Sequence, residues 1–172
     1  MAASSDRPTV DAWLVDLYRS EYAHLVRLAT LLVDDVGEAE ELVQDAFVAA
    51  ARTRQGSFQD AGSAPAYLRS AVLNRARSRL RTRRVRRRHL RSVDPPPSAP
   101  GADRQALASE ETRRMLAVLG RLPARQREVL VLRYYLELSE AEIADELGIS
   151  AGSVKTHAHR GLAALESQLE AP

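Results

Sequence analysis

LELSEAEIADELGISAGSVKTHAHRGLAAL, running from Leu136 to Leu165, spells two short amphipathic helices joined by a tight turn. Ser139 and Glu142 form a capping box, in which hydroxyl and carboxylate each satisfy a free backbone N–H at a helix start. Ile143, Ala144 and Leu147 then give one apolar face. Gly148 supplies a left-handed turn residue, Ile149 fills the corner, and Ser150 caps a second helix. This order of signals describes a helix-turn-helix, whose second helix enters a DNA major groove. DNA is thus the first ligand that the residues name.

At about 100° per residue, Val154, Ala158, Gly161, Leu162 and Leu165 share one face of the second helix, which is its expected core side. The opposite face carries Gly152, Ser153, Thr156, His159 and Arg160, with Lys155 at its edge. These small, hydroxyl-bearing and cationic groups suit phosphates and base edges. The plainer reading is a solvated helix in an ordinary bundle. Against it stands the coincidence of capping box, turn glycine and second cap.

Composition narrows the classes. The 172 residues include no cysteine, which excludes disulfides and thiolate metal sites. Hydrophobic content of 45% supports packed cores, and only 5% aromatics points to helices built from Leu, Val and Ala. No apolar run approaches the ~20 residues that span a bilayer, and MAASSDRPTVD does not read as a signal peptide. A soluble cytoplasmic protein without membrane insertion is expected. The net charge of +2 hides an asymmetry: no acidic residue lies between Ala61 and Val93, while eleven arginines lie from Arg69 to Arg91. The rest of the chain is therefore net acidic. A basic block in acidic surroundings marks a surface for polyanions and leaves other surfaces for protein partners.

Helical spacing runs from Val10 to Val33, and Asp34-Asp35-Val36-Gly37 interrupts it. A second helix follows, with Ala39, Leu42, Val43, Ala46, Phe47 and Ala50 on one stripe and Glu38, Glu40, Glu41, Gln44 and Asp45 facing outward. Gln55 to Pro65 reads as a loop, and a third helix is expected from about Ala66 into the arginine block. SVDPPPSAPGA, from Ser92 to Ala102, is a proline-rich linker. Beyond it, helices are expected over Glu110–Leu119 and Ala124–Leu136 before the helix-turn-helix. No strand pattern occurs. The expected fold class is all-α, as two small helical domains joined by the linker.

In the arginine block, Leu68, Ala71, Val72, Arg75, Ala76, Arg79 and Leu80 recur at helical spacing, leaving Arg69, Asn74, Arg77 and Arg81 to face outward. Like charges at i,i+4 destabilise a helix by roughly 0.2–0.5 kcal/mol per pair. So many arginines are easier to explain if phosphates lie nearby, although a solvated basic run is the alternative. The acidic face of the second helix has no partner that its residue types identify. Catalysis is not expected. His157 and His159 point about 200° apart and cannot clamp one metal, and no phosphate loop, HExxH or nucleophile elbow is present. No cofactor or metal is called for.

Taken together, the residues resemble a bacterial sigma factor of the extracytoplasmic-function group of the sigma-70 family. GEAEELVQDAFVAAART (Gly37–Thr53) is similar to the region 2 helix that docks on RNA polymerase, with Glu41, Leu42, Gln44, Asp45 and Phe47 at its most recognisable positions. AYLRSAVLNRARSRLRTRR (Ala66–Arg84) is similar to the following helix, which handles the −10 element. LPARQREVLVLRYYLELSEAEIADELGISAGSVKTHAHRGLAAL is similar to region 4, which reads the −35 element. The pattern departs from the family at Tyr67, where tryptophan is common, at His157, where arginine is common, and at Gly161-Leu162, where Ala-Arg is common. His157, at the edge of the apolar face, therefore reads as structural.

The resemblance implies region 2 over residues 10–91, a linker over 92–108 and region 4 over 109–170. It implies −10 contacts from Arg69, Asn74, Arg77, Arg81 and Arg84, and −35 contacts from Ser153, Lys155, Thr156, His159 and Arg160. The implied partners are promoter DNA, the clamp helices of the largest polymerase subunit, the polymerase flap for the C-terminal domain, and an anti-sigma factor. A LuxR-type regulator is the alternative, because ISAGSVKTH suits that family's helix-turn-helix equally well. A basic RNA-binding or architectural protein is another. The first has no reason to contain the acidic helix followed by the arginine helix, and the second leaves the helix-turn-helix unexplained.

Overall fold

A computed structural model describes residues 10–53, 63–89 and 110–170. The proline-rich linker and the first nine residues lie outside this set. The described residues form α1 (Val10–Val33), α2 (Val36–Arg52), α3 (Ser63–His89), α4 (Glu110–Arg121), α5 (Ala124–Tyr134), α6 (Glu140–Leu147) and α7 (Ala151–Glu170). The fold is all-α. Helices α1 to α3 pack as one half and α4 to α7 as the other, with α1 also packed against α4 and α5.

Several boundaries differ from the expected ones, each for a local reason. α3 starts at Ser63 rather than Ala66, because Pro65 falls in the first turn, where its missing N–H removes nothing the helix uses. α2 starts at Val36, since the Asp35 carboxylate accepts a 2.7 Å hydrogen bond from the Glu38 N–H and acts as N-cap. The interruption between α1 and α2 is thus only Asp34 and Asp35. α5 ends at Tyr134, two residues short of Leu136.

The helix-turn-helix forms as its signals dictate. The Ser139 N–H donates to Glu142 at 2.8 Å, and the Glu142 N–H returns a 3.3 Å bond to the Ser139 hydroxyl. Gly148 adopts φ 62 and ψ 41, a left-handed cap in open space. The Ile149 N–H then donates to the Ala144 carbonyl at 3.0 Å and closes the corner.

The core crosses both halves. Leu25, Leu28, Leu32, Val43, Leu68 and Val72 form its α1–α3 portion, and Val129, Leu132, Ile143, Leu147 and Val154 continue it into α5–α7. α1 is the shared wall. Its C-terminal end also carries one charged contact between the halves, made by Arg127. Asp34 takes a left-handed φ of 66, and its N–H donates to the Thr30 carbonyl at 3.0 Å. The Leu32 and Val33 carbonyls therefore need other donors. Arg127, from α5, donates to Leu32 at 2.5 Å and to the Asp34 carboxylate at 2.9 Å. Arg83, from α3, donates to Val33 at 3.3 Å. Two guanidiniums thus cap the negative end of one helix.

Burial raises the Asp34 carboxyl above its ordinary range, against the opposing pull of Arg127 and Arg83. The folded chain consequently holds a proton at Asp34 more tightly than the unfolded chain does. Stability from this site is fully present below the ordinary carboxylate pKa of about 3.9, and is lost as pH rises through the raised value. Asn accepts the left-handed backbone and stays neutral. The melting temperature of Asp34→Asn should therefore gain on that of the parent as pH is raised from about 4 to about 6. Parallel melting curves across that range would refute the assignment.

Candidate nucleic-acid interface

α7 presents the polar face that its spacing predicts. Val154 and Ala158 are buried, while Lys155, Thr156, His159 and Arg160 are exposed and Ser153 is half-buried. The Ser150 hydroxyl accepts from the Ser153 N–H at 3.1 Å and so caps the helix start. Thr156 turns its hydroxyl proton to the Gly152 carbonyl at 2.9 Å, leaving an acceptor lone pair outward. Lys155 lies 3.5 Å from the Glu140 carboxylate, which Arg133 also holds at 3.2 Å. His159 and Arg160 make no hydrogen bond or ion pair with the described residues, so their donors are available. His157 is half-buried, with its Nδ1 enclosed and without a hydrogen-bond partner; the structure keeps it off the open polar face.

One expectation for this helix fails. Leu162, placed on the core side by angle, is 38% exposed. The reason is the close approach of its neighbour: a Cβ on Gly161 would come within 2.9 Å of Leu130. Gly161 takes the buried position, so Leu162 turns to the rim of a cleft of about 350 Å³ that it shares with Leu31, Met115, Leu119 and Tyr134. Met115 of α4 is likewise exposed at this rim.

α3 has three working sides. Leu68, Val72, Leu73 and Ala76 face the core. Arg75, Arg79 and Arg83 face α2 and the end of α1. Arg79 pairs with Glu38 at 3.0 Å and Glu41 at 2.9 Å, Arg83 pairs with Glu38 at 2.5 Å, and Arg75 donates to the Asp45 carbonyl at 3.2 Å. The third side faces α5 and α6. There Arg77 pairs with Glu128 at 3.1 Å, and Ser70 donates to Glu146 at 3.0 Å.

Of the residues expected to face outward on this helix, only Asn74 and Arg81 are exposed. Arg69 and Arg77 are half-buried against the second half, and the Arg69 Nε and one terminal Arg77 nitrogen are enclosed without hydrogen-bond partners. A periodicity reading of one helix cannot see the docking of another domain on its polar side. The side chain of Arg84 lies outside the described residues.

α2 divides in the same way. Glu41, Gln44 and Asp45 are exposed, but Leu42 and Phe47 are 4% and 6% exposed and belong to the core. The Phe47 ring lies 5.1 Å from that of Tyr18 and 6.4 Å from that of Tyr22. Leu42 and Phe47 thus hold the helix rather than offer a surface. Glu38, expected to face outward, is turned into α3. Burial raises its carboxyl, and Arg83 and Arg79 oppose that rise. Sequence reasoning missed Arg127 and Glu128, both only 4% exposed. The available signal was a charged pair set against the apolar run Val129–Leu132.

This arrangement matches known proteins along most of the chain. The Sigma-70 region 2 family profile matches residues 17–86, and the Sigma-70, region 4 profile matches residues 112–165. The RNA polymerase sigma-E factor of Streptomyces avermitilis is 37% identical over 156 residues, spanning 88% of this chain and 82% of that protein. The ECF RNA polymerase sigma factor SigK of Mycolicibacterium vanbaalenii is 32% identical over 157 residues, spanning 88% of this chain and 79% of its own length.

The chain belongs to the ECF sigma factors of the sigma-70 family.

The fold agrees. The sigma factor RpoE from Bartonella quintana, solved in complex with the anti-sigma factor NepR, superposes with a TM-score of 0.66 at 24% identity, covering 91% of this chain and 98% of RpoE. This sigma factor therefore directs transcription initiation at promoters, and the LuxR-type alternative falls because region 2 is present. The relatives are initiation factors rather than enzymes. No described helix is long and apolar enough to cross a membrane.

The division of α2 has a measurable consequence. Leu42→Ala should lower folding stability by ~2–5 kcal/mol, as a buried truncation does, whereas Gln44→Ala should stay within ~0.5 kcal/mol of the parent. Urea unfolding followed by circular dichroism measures both. An unchanged midpoint for Leu42→Ala would return that residue to the surface.

Proposed function

We propose that the sigma factor reads its promoter at two points, with α7 on the −35 element and α3 on the −10 element. One observation carries this reading: Arg160 and His159 stand exposed without internal partners, on the same face as Lys155 and Thr156. Arg160 has the fork geometry for the O6 and N7 acceptors of a guanine. Lys155, Thr156 and Ser153 suit phosphates and set the register. On α3, Asn74 and Arg81 are the exposed groups for the −10 strand, and Arg69 and Arg77 lie half-buried on the same helix. Glu41, Gln44 and Asp45 are the docking surface for the clamp helices of the largest polymerase subunit. The α4–α7 half meets the polymerase flap. The proline-rich linker, residues 92–108, spans the two elements.

An anti-sigma factor is the second partner. The apolar cleft rimmed by Met115, Tyr134 and Leu162 has the chemistry to take the apolar stripe of an amphipathic helix. The fold shared with RpoE, which binds NepR, supports this partner. The site acts in the cytoplasm, where polymerase and DNA are.

In vitro transcription with core polymerase from the source organism, with and without this protein, tests the reading. Promoter-dependent transcripts are expected only when the protein is present; failure to bind core polymerase would reject the proposal. Arg160→Ala should weaken −35 binding by ~1–3 kcal/mol and relax discrimination at one base pair. Lys155→Ala should weaken binding to all sequences alike and lower the salt slope by about 0.9. Unchanged sequence discrimination in Arg160→Ala would remove the base contact.

A further inference from the structure

Three ionic groups converge where α5 ends, α6 begins and α7 makes its second turn. One oxygen of the Glu140 carboxylate accepts from Arg133 at 3.2 Å, and the other lies 3.5 Å from the Lys155 ammonium. Glu140 is the first residue of α6, directly after the Ser139 cap. The free N–H groups of a helix start favour a negative charge there, so the carboxylate keeps its place with or without Lys155. Glu140 is half-buried and Lys155 is exposed. The ammonium is the moving partner, a compact charge on a flexible four-carbon stem.

The cations of the −35 face are therefore not equivalent. Arg160 has no hydrogen bond or ion pair with the described residues, while Lys155 has a carboxylate beside it. The unpaired cation is the one with the geometry to read a base, and the paired one is the one suited to the backbone. Phosphate contacts supply nearly all sequence-independent binding. A phosphate and the Glu140 carboxylate are both anions, and brought against one ammonium they repel each other. Lys155 must loosen its hold on Glu140 to take a phosphate. Arg133 enters the same balance, because it meets part of the carboxylate charge before Lys155 does.

We propose that Glu140 is a positioning residue that sets how strongly the −35 face holds the DNA backbone, by competing with phosphate for Lys155. This rests on the reading of α7 as the −35 surface. The competition weakens the hold on every sequence alike and leaves the Arg160 base contact untouched. A weak sequence-independent hold lets the protein leave a wrong site and hop to the next.

Fluorescence anisotropy of the full-length chain with a fluorescein-labelled duplex of mixed sequence, from about 50 to about 200 mM salt, reads the backbone contribution. Glu140→Gln keeps the shape and removes the charge. It should tighten binding about threefold, the scale of an exposed ion pair. The salt slope should stay that of the parent, because the same phosphates are contacted. In a Lys155→Ala background the substitution should have no effect. Arg133→Gln should act in the opposite sense, weakening binding about twofold by leaving Glu140 to Lys155 alone, and should also be silent without Lys155.

Equal tightening by Glu140→Gln with and without Lys155 would make Glu140 a general surface charge and overturn the proposal. Parent-like binding by Glu140→Gln, or a changed salt slope, would overturn it too. If Lys155→Ala binds as the parent does, or the parent does not bind the duplex at low salt, α7 is not a backbone surface; the underlying reading then fails, and the inference with it. Should Glu140→Gln lose helicity by circular dichroism, the Arg133→Gln pair of measurements decides. Weakening that persists without Lys155, or no weakening at all, rejects the assignment.

Discussion

A guanidinium enclosed between two helical halves must be met by oxygen, because an unpaired buried charge is too unfavourable to persist. Arg127 is met at the end of α1, by the Leu32 carbonyl and the Asp34 carboxylate. The rest of the arrangement follows from that contact. It requires Asp34 to leave the helix through a left-handed residue, which turns the chain toward α2 and leaves the last carbonyls of α1 without helical donors. Arg83 takes the Val33 carbonyl and draws α3 to the same place. α4 also approaches closely: a Cβ on Gly120 would meet the Asp34 carboxylate at 2.9 Å. One helix end therefore organises three others.

The arginines of α3 are divided by what surrounds them. Those toward α2 are neutralised by Glu38 and Glu41 and help to hold the three-helix half together. Exposed ion pairs contribute little, but Glu38 is largely buried and shared by two guanidiniums. Those toward the second half meet Glu128 and its neighbours. Asn74 and Arg81 remain at the surface. Among the described residues, a block that reads as a uniform polyanion surface is thus three surfaces, and one of them is open in this arrangement. The acidic excess elsewhere in the chain supplies the internal counter-charge.

The helix-turn-helix was legible residue by residue because every signal in it is local. A capping box spans three residues, a left-handed glycine concerns its own backbone, and an amphipathic face repeats within two turns. The same holds for the core stripe of α2. The errors cluster where a second element decides. Leu162 is exposed because Gly161 fits against Leu130, and Glu38 turns inward because Arg79 and Arg83 lie across from it. Leu42 and Phe47, recognisable through the family pattern, are recognisable for their place in the core. Similarity to a docking helix does not separate the residues that touch a partner from those that hold the helix in shape.

From its sequence alone, this protein is all-helical, with an acidic helix, an arginine helix and a helix-turn-helix that together resemble a sigma factor; the helices are legible because periodicity and capping depend on neighbours within a few residues. The tertiary structure decided which of its charges are available. Whether Arg77 meets Glu128 or solvent depends on residues 51 positions apart coming to 3.1 Å, and no local pattern encodes that separation. Burial then sets the consequence, since a charge enclosed between two halves must choose its partner inside the molecule.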